Sequence, residues 1–95
     1  MSAINQAKTQ INFFVKKSAE CSIYEQSETT KVCFGENMVL VLILAKNRLT
    51  YKEFTFENGK AKVVVQNVVR LTGAEMFTVK HHFKKAHQMK DIKSA

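Results

Sequence analysis

Met38-Val39-Leu40-Val41-Leu42-Ile43-Leu44-Ala45 is the longest apolar run in a chain of 95 residues. Eight residues are too few for most helices, and the run is rich in branched side chains, so it reads as a β-strand buried on both faces and central to its sheet. It is also far shorter than the roughly 20 apolar residues of a membrane-spanning helix. A single antiparallel sheet with helices on one face leaves its other face in water. Either two helices cover opposite faces, or both cover one face and a second chain buries the other. Small size and surplus apolar surface favour the second arrangement, and with it a homodimer.

On the C-terminal side of this strand, Lys46-Asn47-Arg48 can turn the chain. Leu49 to Glu57 then alternates Thr50, Lys52, Phe54 and Phe56 with Leu49, Tyr51, Glu53 and Thr55. Phe54 and Phe56 share a face and are expected in the core against Val79 and Phe83, with Tyr51 the more exposed aromatic. Asn58-Gly59 marks a two-residue hairpin, because both residues tolerate the positive φ of a type I′ turn. The next strand runs from Lys60 to about Val69. On the N-terminal side, Gly35-Glu36-Asn37 is a turn, Lys31 to Phe34 a short strand, and Ser27 to Thr30 another turn. Cys21, Ile23 and Glu25 alternate with Ser22, Tyr24 and Gln26 as a further strand.

Helices are expected at both ends. Ile4, Ala7, Ile11 and Phe14 recur at steps of three and four between polar residues, and Ser2 can cap the start, so a helix is placed over Ala3 to Lys17. Near the other end, Thr72 and Glu75 form a capping box, with Leu71 and Met76 at the positions of a hydrophobic staple. Met76, Val79, Phe83 and Ala86 continue as one apolar stripe, placing a helix over Gly73 to about Met89. The tail 90–95 is expected to fray. The order is helix, antiparallel sheet of three to five strands, helix. That is an α+β fold in one small basic domain over 1–95, since Pro is absent and no linker, repeat or low-complexity stretch interrupts it.

The composition narrows the function classes. With 45% apolar residues the chain can build a core. The first residues lack a basic region followed by an apolar stretch, so a cytoplasmic or nuclear location is expected, with no membrane partner. Cys21 and Cys33 then read as reduced, buried thiols rather than a disulfide. A zinc set drawn from these two Cys with His81, His82 and His87 has the wrong spacing, because structural sites pair ligands within a few residues. Glu53 and Glu57 lie near a hairpin and are expected to pair with Lys60 or Lys62 rather than act as an acid–base couple. No nucleophile with an orienting base and no phosphate-cradling Gly loop is present, so neither an enzyme nor a bound cofactor is expected.

Charge distribution is the most directional feature. Residues 1–45 hold four Lys and four Glu, whereas 46–95 hold 11 Lys plus Arg against Glu53, Glu57, Glu75 and Asp91, so the second half carries the whole +7. On the C-terminal helix Lys80, Lys84 and His87 lie beside the apolar stripe, His81 and Lys85 extend that face, and Lys90 lies a turn further on. Lys46 and Arg48 cluster at one turn, Lys60 and Lys62 at another. The pattern suits phosphate contacts, which gain affinity by releasing counterions and need no base readout. A nucleic-acid partner, DNA or RNA, and a transcription-associated regulatory role are therefore expected. Only Arg48 and Arg70 offer a bidentate group for guanine, and Tyr51, Phe54 and Phe56 are the aromatics on a strand that could stack bases. The alternative is a protein-interaction module or inhibitor whose basic helix meets an acidic surface.

Overall fold

Ser2 accepts a hydrogen bond from the Asn5 amide at 3.1 Å, and the helix it caps, α1, runs Ala3–Lys17. The structure is a computed structural model and describes residues 2–86. A single 3₁₀ turn, Ser18–Glu20, follows α1, and five strands come next: β1 Ile23–Gln26, β2 Thr30–Phe34, β3 Met38–Ala45, β4 Arg48–Glu57 and β5 Lys60–Arg70. The final described element is α2, Gly73–Lys85. Each strand pairs antiparallel with its sequence neighbour, giving the sheet order β1-β2-β3-β4-β5 with β3 at the centre. The chain is an α+β fold.

Two-residue turns fix the register on both sides of β4. Lys46 and Asn47 have φ of 55° and 58° and join Ala45 to its partner Arg48, while Asn58 and Gly59, at 53° and 77°, join Glu57 to Lys60. Such mirror-image turns match the right-handed twist of the strands they connect. Pairing Ala45 with Arg48 sets Leu44 opposite Leu49, Leu42 opposite Tyr51 and Leu40 opposite Glu53. These residues face the helices, and all are buried. From above, α1 contributes Ala7, Ile11 and Phe14, and α2 contributes Val79 and Phe83. Phe13 and Phe14 meet the Tyr51 ring edge-on, with centroids 5.7 and 6.4 Å away, and the Lys31 ammonium lies 4.9 Å from the Phe83 ring.

Both helices therefore cover one face, and β3 is buried on that side only. Val39, Val41 and Ile43 look the other way, together with Phe54, and remain partly accessible. This corrects the expected placement of the β4 aromatics. Tyr51 is 1% exposed, whereas Phe56 is 44% exposed on the face away from Phe83. A one-residue change in register moves every side chain to the other face, and here the short turn at Lys46-Asn47, rather than the apolarity of Phe, decides which set goes in. Ile23 likewise lies on the open face at 55% exposure, while Cys21, just before β1, is buried.

Three further differences concern side-chain partners and one helix end. Glu53 is opposite Val65, not Lys60 or Lys62, and it reaches across to Lys17 of α1 at 2.6 Å. Opposite β4, the pairing skips Val64, so β5 carries a bulge between the partners of Glu53 and Phe54. Helix α2 stops at Lys85 instead of about Met89, because Ala86 turns to extended backbone with ψ of 126°. The tail 90–95 lies outside the described residues. Among those residues no helix is long and apolar enough to cross a membrane.

Candidate nucleic-acid interface

The local sequence makes α2 start sharply. The Thr72 hydroxyl accepts from the Glu75 amide at 3.2 Å, and the Glu75 carboxylate accepts from the Thr72 amide at 2.8 Å. Leu71 is buried, and Met76 packs against the core. With the start fixed, Val79 and Phe83 must point down, and the residues at i, i+3, i+4 and i+7 from Phe77 share another stripe. Those residues are Phe77, Lys80, His81 and Lys84.

All four are exposed, and Phe77 is 82% exposed, the most accessible large apolar side chain among the described residues. Together with Thr78 they line a shallow depression of about 420 Å³. Lys85 is also exposed, beside this stripe. The arrangement offers one flat π surface with cationic groups one and two helical turns away. An anion with an unsaturated ring satisfies both features.

His82, the neighbouring residue, points elsewhere. It is half-buried against α1, where its Nε2 lies 3.2 Å from the Asn12 side-chain oxygen. Burial lowers its pKa below the usual imidazole value, and the positive groups of Lys8, Lys85 and His81 push in the same direction. It is a contact between the helices, whereas His81 belongs to the outer face.

The remaining basic residues named from the sequence do not converge on α2. Lys46 and Arg48 sit at the β3–β4 turn, where Arg70 joins them through its pairing with Arg48. This cluster is at the end of the sheet where α2 begins, and the Leu71 amide donates to the Asn47 carbonyl there at 2.9 Å. Arg48 shares the orientation of Thr50 and Lys52, toward the face opposite the helices. Lys60 and Lys62 lie at the other end of β4, whose 10 residues span roughly 30 Å. His87 and Lys90 lie outside the described residues. Among the described residues no group of three or more His, Cys, Asp or Glu is placed to hold a metal ion.

Sequence reasoning named Lys80, His81, Lys84 and Lys85 but passed over Phe77. The signal was available: Phe77 is a large apolar residue one position out of the Met76–Val79–Phe83 stripe, about 100° around the helix from it. Neither models of known protein families, nor curated proteins, nor solved structures gave a match to this chain.

Proposed function

We propose that the chain is a non-enzymatic binder of single-stranded nucleic acid and that the outer stripe of α2 is its contact surface. The observation that carries this reading is Phe77, exposed on a helix whose buried face is already complete and flanked by Lys80, His81 and Lys84. A phenyl ring in water gains by stacking on a base, and every base has a π face, so the contact is tolerant of sequence. The lysines reach the phosphates on either side and release their counterions. Duplex bases are stacked on each other and present no free face to Phe77, which favours single strands. Carboxylates on an acidic protein would satisfy the lysines but not stack on Phe77.

The test is fluorescence anisotropy with labelled single-stranded and duplex DNA and RNA over a range of salt. Binding should fall log-linearly with salt. Changing Lys80 and Lys84 together to Ala should reduce that slope by about 0.7 for each phosphate that is no longer neutralised. Phe77→Ala should cost about 1–3 kcal/mol on single strands while leaving the salt slope intact. Absence of binding at low salt would refute the proposal, and binding to single strands that Phe77→Ala leaves unchanged would refute the role of Phe77.

A further inference from the structure

The uncovered face of the sheet is ordered in rows that the strand register defines. Across the middle runs Glu25–Val32–Val41–Lys52–Gln66, one residue from each strand. The row beside it, Ile23–Phe34–Val39–Phe54–Val63, is wholly apolar. On the other side, Thr30, Ile43, Thr50 and Val68 form a third row. Ile23 and Val63, at the two ends of the apolar row, are 55% and 45% exposed, so the face carries one apolar strip beside a mixed middle row that holds one acid, one base and Gln66. The largest apolar patch on a small protein is often a binding surface.

We infer that this face is covered by the same face of a second copy, with the two-fold axis running along the strands between β2 and β3. The charges select that arrangement. An axis along the strands at this position lays β1 over β4 of the other copy and β2 over β3. Glu25 then faces Lys52 of the second copy, Lys52 faces its Glu25, and Val32 faces Val41. An axis across the strands along the middle row would set Lys52 against Lys52 and Glu25 against Glu25. An axis along β3 would bury Lys52 against Val32 without a counterion, which is costly.

The other rows fit the same axis. Ile23 falls over Phe54 and Phe34 over Val39, placing a large side chain against a smaller one in each pair. Packed sheets lie about 10 Å apart, a gap that the extended Glu and Lys side chains bridge together. Four strands at about 4.8 Å and three rows at about 7 Å cover roughly 400 Å² in projection. With side-chain relief the two copies bury on the order of 1,000 Å², the lower bound of a specific interface. An interface at this lower bound belongs with weak, reversible associations. The dimer leaves both α2 stripes on the outside and does not depend on their proposed function.

Sedimentation equilibrium of the wild type, Glu25→Lys, Lys52→Glu and the double reversal decides the matter. The wild type should move from the 10.8 kDa chain mass toward twice that value across the micromolar range. Each single reversal sets like charges against each other and should weaken the dimer at least about tenfold. The double reversal should restore it to within about threefold. Glu25 is exposed on the short edge strand β1, so Glu25→Lys keeps the test open if Lys52→Glu disturbs folding. A wild type that stays at chain mass at high micromolar concentration overturns the inference. A dimer indifferent to both single reversals overturns it too, and single reversals that the double fails to rescue overturn the axis.

Discussion

Lys17, at the C-terminal end of α1, reaches the Glu53 carboxylate on β4 at 2.6 Å. Glu53 is 4% exposed and occupies a position on the helix-facing side of the sheet that its neighbours fill with Leu and Tyr. A carboxylate there without a counter-charge would keep its desolvation penalty and lose the attraction that offsets it. The pair also sets where α1 ends over the sheet, since the cation must lie above β4.

Lys17→Met should therefore lower stability by about 1–3 kcal/mol. The value is below that of a fully buried pair, because the Lys17 side chain keeps partial contact with water. Combining it with Glu53→Leu should recover most of that loss. Urea unfolding of both variants and the wild type provides the comparison, and a double variant no more stable than Lys17→Met would contradict this account.

The Tyr51 hydroxyl is buried with no partner in hydrogen-bonding geometry among the described residues. Burial raises its pKa well above the ordinary phenol value, and the nearby Glu53 carboxylate adds to the rise. A raised folded-state pKa contributes stability that is complete below the unfolded value, near 10, and declines as pH climbs beyond it. The protein should thus lose stability above about pH 10, and Tyr51→Phe should remove part of that slope. Thermal melting between pH 8 and about 11 compares the two proteins directly.

His82 gives the opposite dependence. Its pKa is lowered by burial against α1 and by Lys8, Lys85 and His81, while Asn12 faces it without charge. A depressed pKa contributes stability that is present above the unfolded value of about 6.5 and is lost as pH falls through the folded value. Acidification from pH 7 toward 5 should loosen the contact between α1 and α2. His82→Gln should show a smaller fall in melting temperature over that interval, and an unchanged fall would mean that His82 carries none of it.

The β3–β4 turn holds Lys46 in a left-handed conformation that L-residues with a full side chain adopt at a cost. Replacing Lys46-Asn47 by Asn-Gly should stabilise the fold by about 1 kcal/mol, since that pair suits a type I′ turn. The same change removes one cation from the Arg48–Arg70 cluster, which shares no lining residue with the α2 depression. A rise in the urea midpoint with no change in the denaturant slope would identify a stability effect alone.

The elements whose residues speak through local chemistry were legible from the sequence. The bounds of α1 followed from its period and from Ser2, and the start of α2 from Thr72 and Glu75. What the sequence concealed depends on partners far along the chain. The burial of Glu53 makes sense only through Lys17, and the outward turn of Phe54 only through the register that a two-residue turn imposes. Nothing marks the end of α2, where neither Gly nor Pro follows Lys85. On α2, Lys80, His81 and Lys84 share one stripe, as their spacing implies. The basic loops do not converge, because Arg48 and Lys60 lie close in the chain yet at opposite ends of a long strand.

The strictly sequential strand order bears on how the chain acquires its fold. Every strand pairs with the one just before or after it across a short turn, so each pairing closes a small loop and loses little chain entropy. Such local contacts are those that form quickly. Docking α1 is different: its Lys17, Gln10 and Phe14 meet β4 and β5, and His82 of α2 lies against Asn12. During synthesis α1 emerges before the strands it packs on and is thus left without its apolar cover until the last of them follow. Helix α1 should therefore dock after the rate-limiting step, and mutations at Phe14 should slow refolding less than they speed unfolding.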